Sequence, residues 1–266
     1  MKKFYLLLAA LGLLAPSFSS AETVVLSGSA ECEDNMLTAS FSQFNSGASA
    51  LLGVGSDGFN NNAIRSIFRF DLSSTANVSA TSASFQLTLG QASSVAFSNQ
   101  TVTLYRITLA NAGWQAGGGD GYPQPESCWD DLSLSDGTAW AGSSGLSTAG
   151  VDYVATALGS FTCSSSDAPG TKYTINFNDL SFLSGWANNS STNAGFLLYS
   201  SGLEAIAGAN IGFYATDSGE ANSMPSLTLS GAVVPEPESI GLVLLGGIIL
   251  RTWSRRKVRL LTTSAR

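Results

Sequence analysis

Apolar and polar residues alternate along this chain in short runs, separated by clusters of Ser, Gly, Asn and Asp. The clearest run is 83–89, where Ala83, Phe85, Leu87 and Leu89 alternate with Ser84, Gln86 and Thr88. A period of two sends one set of side chains to a buried face and the other toward water, which predicts a half-buried β-strand. In 65–72, Ser66, Phe68, Phe70 and Leu72 alternate with Arg65, Ile67, Arg69 and Asp71. In 172–177, Tyr173, Ile175 and Phe177 share one side. Strands are also predicted over 23–26, 50–54, 101–108, 195–199, 211–215 and 226–229. One segment departs from this period. Leu180, Leu183 and Trp186 recur at i, i+3 and i+6, which predicts a short amphipathic helix over 179–187, capped by Asn178 or Asp179. Nine short strands and one short helix predict an all-β fold, an antiparallel jelly-roll-like β-sandwich.

The two ends read differently from the body. Lys2 and Lys3 precede an apolar stretch, 4–14, and the small residues Ser19, Ser20 and Ala21, which is the make-up of a secretory signal peptide over 1–21. At the other end, Pro235-Glu236-Pro237 precedes the apolar and glycine residues 240–250 and then Arg251, Arg255, Arg256, Lys257 and Arg259. The apolar run is short against the about 20 residues that span a bilayer. The cations behind it would hold the tail end in the cytoplasm and the body outside. The expected organisation is therefore a signal peptide (1–21), a β-sandwich body (22–231) and a sorting segment (232–266).

Charge sharpens this division. The body holds 17 acidic residues (the chain's 19 less Glu236 and Glu238) against four cations, Arg65, Arg69, Arg106 and Lys172, a net charge of −13. Such a body is repelled by nucleic acid and by anionic membrane surfaces. Three cysteines, Cys32, Cys128 and Cys163, leave one unpaired in any single-disulfide scheme, and Cys128 with Cys163 is the expected pair in an exported chain.

The tail's order of Pro-Glu-Pro, apolar segment and basic cluster resembles the PEP-CTERM sorting signal of bacteria that make extracellular polysaccharide. That resemblance implies an exosortase that recognises Pro235, Glu236 and Pro237, with Arg255, Arg256 and Lys257 forming the basic end. The body has its own resemblance. Arg65-Ser66-Ile67-Phe68-Arg69-Phe70-Asp71-Leu72-Ser73, the strands 80–89 and 102–107, the aromatic signposts Trp114, Cys128-Trp129 and Trp140, the stretch 183–198 with Trp186, Asn193 and Gly195, and the closing 213–229 follow in the order of the DNRLRE domain pattern. Met224 stands where that pattern commonly has Arg. This resemblance implies a jelly-roll sandwich of the kind found in bacterial surface and carbohydrate-associated proteins.

The chemistry open to the chain is limited. With no histidine, Ser-His-Asp and Cys-His catalysis are excluded. The glycine-rich 117–121 leads into Tyr122-Pro123 rather than a helix, so it is not a phosphate loop. Asp130 and Asp131 beside Trp129 are the candidates for a two-carboxylate glycosidase, but neighbouring residues point apart and an Asp-Asp pair commonly makes a turn. Sugar binding has better support. Trp114, Tyr122, Trp129 and Trp140 fall in one long loop-rich stretch, 111–150, as candidate stacking platforms for glycan rings. The competing reading has these rings covering one end of the core. No cofactor is expected. A structural calcium is the one candidate ion, with Asp57, Asn60 and Asp34 offering hard oxygen ligands. The expected protein is a non-catalytic component of the exopolysaccharide layer, handled by the secretion machinery and an exosortase, with a tryptophan-based carbohydrate-binding module as the alternative.

Overall fold

The computed structural model describes residues 21–58 and 61–233, so the sorting motif, Asn60 and all of the signal segment but Ala21 lie outside the described residues. Residues 23–76 and 80–231 form one compact unit, and Ala21, Glu22, Asn77–Ser79, Ala232 and Val233 are grouped in another. The first unit is an antiparallel β-sandwich.

The chain runs through β1 (Ala21–Ser27), β2 (Cys32–Thr38), the two-residue β3 (Phe44–Asn45), β4 (Leu51–Ser56) and β5 (Ala63–Phe70). The long β6 (Val78–Gln91) and β7 (Gln100–Arg106) follow. The stretch beyond them carries only the short β8 (Tyr122–Pro123), β9 (Asp131–Ser133) and β10 (Thr138–Ala139). Next come β11 (Gly159–Cys163), β12 (Lys172–Asn176), helix α1 (Leu183–Asn188), β13 (Phe196–Tyr199), helix α2 (Ser201–Glu204), β14 (Asn210–Tyr214) and β15 (Ser226–Val233). All nine sequence-predicted strands are present. The curled main sheet runs β1-β15-β6-β14-β4-β5-β13-β7-β11, with β12 joined to β6 and β2 to β5.

Register explains the core. β12 lies antiparallel to β6 with Tyr173 opposite Leu87 and Ile175 opposite Phe85. All four point inward, while Lys172, Thr174 and Asn176 face water. Phe85 sits at the centre, edge-on to Phe68 (5.0 Å, 65°) and to Phe70 (5.8 Å, 77°). Offset and edge-to-face ring pairs of this kind each add about 0.5–1.5 kcal/mol beyond the burial itself. The predicted helix is present but starts later, at Leu183, with Asp179 binding the Ser181 amide ahead of it (2.9 Å). Its Leu183 and Trp186 are buried, and Trp186 packs 5.4 Å from Phe196. A second helix, which the sequence pattern does not predict, follows β13. This α2 is one turn capped by Ser200, whose Oγ accepts the Leu203 amide (3.2 Å).

β5 is covered on both faces. Phe68 and Phe70 enter the inter-sheet core, whereas Ile67 joins Leu37 of β2 and Leu197 of β13 in a separate cluster on the outer face. Asn193 ties the entry of β13 to β5 by donating to the Phe70 carbonyl (2.7 Å) and accepting from the Gly195 amide (3.1 Å). Gly195 has φ +79°, and a Cβ there would strike the Phe68 carbonyl, so both the backbone angle and the space demand glycine. Among the described residues no helix is long and apolar enough to cross a membrane.

Candidate functional site

An apolar stripe on the outside of a sheet must be covered, and the stretch between β7 and β11 does this. Trp114, Leu132, Trp140, Leu146 and Tyr153 close over Ile67, Leu37 and Leu197 as a second hydrophobic cluster. Polar side chains hold the cover in place. Asn45 donates to the carbonyls of Ala116 (2.6 Å) and Ser127 (2.8 Å) and accepts from the amides of Gly47 and Gly119. Asp152, fully buried, accepts the amides of Gly142 (2.7 Å), Thr148 (2.8 Å) and Ser143 (3.1 Å) and the Asn111 side chain (3.3 Å). A buried carboxylate is tolerated only when donors surround it in this way.

This arrangement rules out two of the four expected glycan platforms, Trp114 and Trp140. Trp114 is 0% exposed, its N–H given to the Ala194 carbonyl (2.8 Å) and the Arg69 guanidinium 4.7 Å above its ring. Trp140 is buried, with its N–H shared between the carbonyls of Cys128 (3.0 Å) and Trp129 (3.1 Å). Trp129 is half-buried, against Gly145 and beneath Arg65. Tyr122 is placed by its backbone in β8, opposite Asn45. Trp114 and Trp140 cover the sheet instead, because burying large flat rings against the apolar side of β2, β5 and β13 removes both surfaces from water.

Another expectation also fails. Cys128 and Cys163 form no disulfide, and Cys32, Cys128 and Cys163 are three separate buried thiols. Cys163 points into the inter-sheet core from β11, whereas Cys128 sits in the turn before β9, accepting the Asp131 amide at 3.4 Å. Burial pushes all three thiols up, Cys163 to about 12. Of the three calcium candidates, Asp34 and Asp57 are among the described residues. Asp34 lies in β2 at 1% exposure, where Oδ2 accepts the Thr216 amide (2.8 Å) and Oδ1 meets no polar partner. Burial pushes its carboxyl up to about 7, with the Asp217 charge adding to the rise and the hydrogen bonds from Thr216 opposing it. Asp57 binds Ser40 and the Asn62 amide. Among the described residues no three Cys, Asp or Glu side chains converge as metal ligands. Asp130 and Asp131 belong to a turn closed by the Cys128 amide on the Asp131 carbonyl (2.9 Å).

One open outer corner is the candidate site. Arg65, from β5, reaches out beneath the cover. It binds Glu204 of α2 through two bonds (2.7 and 3.0 Å), the carbonyls of Gly145 and Leu146 (2.8 and 3.3 Å) and Ser147 Oγ (2.9 Å). Leu146 is held at φ +56°, a strained angle for a branched side chain, and it is fixed there by its own burial and by this guanidinium. Arg65 also lies 4.9 Å over the ring of Tyr199. Tyr199 and Tyr105 pack at 5.6 Å and 26°, and Tyr153 supports Tyr105 at 4.8 Å. Beside them opens a groove of about 400 Å³, lined by Gln100, Thr101, Thr103, Tyr105, Tyr199 and Ser201 among others. Burial, together with the neighbouring phenols, raises the Tyr105 and Tyr199 hydroxyls, which keeps both as neutral donors. Neither tyrosine stands out in the sequence as a candidate. The signal was there in the alternation of 101–105, which puts Thr101, Thr103 and Tyr105 on the side opposite the apolar Val102 and Leu104. Compared with known proteins, the chain matches no family model and no curated protein.

Proposed function

We propose that this chain is an exported, non-catalytic β-sandwich protein of the exopolysaccharide layer. In this reading the signal peptide carries it across the inner membrane. The Pro235-Glu236-Pro237 tail then holds it there briefly for an exosortase-type enzyme, as its resemblance to PEP-CTERM signals implies. The observation that carries the proposal is the pair of terminal signals flanking an acidic all-β body. A sorting tail serves only a chain that is exported, and a body of net charge −13 stays soluble and clear of anionic membrane surfaces. The DNRLRE-like order of the strands supports a surface or matrix role.

Cell fractionation tests this. The full chain should be found with the extracellular polysaccharide, and changing Pro235, Glu236 and Pro237 to alanine should trap it in the inner membrane. Unchanged release of that variant would sink the sorting proposal. Glycan cleavage that Asp130→Asn or Asp131→Asn abolishes would replace the non-catalytic reading with an enzymatic one.

A further inference from the structure

We propose that the Tyr105–Tyr199 groove is a binding site for an uncharged polysaccharide chain, an inference that rests on the exopolysaccharide reading above and gives it a site. The strand pattern builds the groove. In β7, Val102 and Leu104 are buried, which turns Thr101, Thr103 and Tyr105 to the outer face. β13 sets Tyr199 opposite Thr103. On the other side, β11 sets Thr162 opposite Thr101 and Ser160 opposite Thr103, both exposed. The second hydrophobic cluster covers the neighbouring part of this face and stops at Tyr105, Tyr153 and Tyr199. The result is an open lane three strands wide, with hydroxyls along it and aromatic rings at its end.

That combination fits a sugar chain. A pyranose presents hydroxyls that both donate and accept, and Ser, Thr and Tyr hydroxyls and the Gln100 amide can do the same in return. Its C–H groups are apolar and can rest against the half-buried edges of the Tyr105 and Tyr199 rings, whose faces pack on each other and on Arg65 and Tyr153. The rings are already fixed, Tyr199 by Arg65 and Tyr105 by Tyr153, so little side-chain freedom is lost on binding. A volume of about 400 Å³ falls within the range of about 300–1,000 Å³ typical of ligand clefts.

Charge selects the class of glycan. Among the described residues no Asp, Glu, Lys or Arg lines the groove. The charges at its edge, Arg65 and Glu204, are engaged with each other at 2.7 Å. A uronate or sulfated chain would find no cation to pair with here and would be repelled by a body of net charge −13.

Isothermal titration of the full chain, kept in a detergent without a sugar headgroup, tests the assignment. The probes are cellohexaose, laminarihexaose, mannohexaose and a hexauronate. At least one neutral hexamer should bind, with an affinity that added salt does not change. Tyr105→Ala and Tyr199→Ala should each weaken it by about tenfold or more. Phe41→Ala, at an exposed ring elsewhere (50% exposed), should leave it unchanged. Should either tyrosine variant lose its fold by circular dichroism, Thr103→Val, which keeps the side-chain volume, should still weaken binding severalfold. Binding of the hexauronate alone, of no hexamer, or of neutral hexamers equally by all variants would overturn the groove. Retention of both wild type and Tyr105→Ala in the cell's own polysaccharide would overturn the groove and leave the matrix role standing. Retention of neither would overturn the matrix role itself.

Discussion

Raising the pH from about 4 to about 7 should weaken this fold through one carboxyl group, Asp34. The side chain is 1% exposed in β2, where Oδ2 accepts a hydrogen bond from the Thr216 amide and Oδ1 has no polar partner. Burial and the nearby Asp217 charge outweigh the bonds from Thr216, so its folded-state value rises from 3.8 to about 7. The sign follows directly. Between those two values the folded chain holds a proton that the unfolded chain has released. Stability is therefore full below about pH 4 and falls as pH climbs through the window. A gap of about three pH units, at about 1.4 kcal/mol each, amounts to about 4 kcal/mol. Asp34→Asn carries no charge and keeps an oxygen for Thr216. Its new amide donors are left unsatisfied, a pH-independent penalty of about 1–3 kcal/mol. At neutral pH the relief of the buried charge should exceed this penalty. The variant should then be the more stable protein at pH 7.5 and the less stable one at pH 4. Urea unfolding of both chains at half-unit pH steps measures the difference, which should slope across the window and flatten on either side. A difference that stays constant from pH 4 to pH 8 would refute the reasoning.

Other outcomes follow from the same structure. Arg65→Ala should destabilise the protein by about 3–5 kcal/mol in urea unfolding, because it leaves Glu204 largely buried without its partner and frees the Gly145 and Leu146 carbonyls. Asp152→Ala should speed amide hydrogen exchange at Gly142, Ser143 and Thr148 by at least tenfold while leaving the β5 and β6 amides protected, since three of its bonds hold one loop and none holds a strand. The three thiols should resist a water-soluble alkylating reagent in the native state and react fully in denaturant. The thermal midpoint should be the same with and without reductant, because there is no Cys128–Cys163 bond to break.

Much of the fold was legible because alternation is a local property. The nine predicted strands and the helix at Trp186 needed only neighbouring residues to be recognised. β2 escapes such a reading because Cys32-Glu33-Asp34-Asn35 has the look of a polar turn. It becomes a strand by pairing with β5 along its whole length, Cys32 opposite Phe70 through Thr38 opposite Ile64. Its polar residues are then used at long range. Asn35 donates to the Ser127 carbonyl (2.9 Å) and accepts the Ser46 amide (3.0 Å). The odd cysteine count allowed a disulfide, but nothing in the spacing could show that Cys163 enters the inter-sheet core while Cys128 is buried in the turn before β9.

The sequence by itself determined the all-β class, the inward and outward sides of the main strands, the acidity of the body and the absence of histidine chemistry. These depend on residue type and on a period of two. The tertiary structure decided which aromatic rings face water. A tryptophan in a long loop is equally suited to a sugar platform or to a hydrophobic cover, and its fate depends on whether a distant strand leaves an apolar face bare. Here Ile67, Leu37 and Leu197 did so, and Trp114 and Trp140 were drawn down to cover them. Tyr105 and Tyr199, at the edge of that cover, were left half-buried beside the open groove.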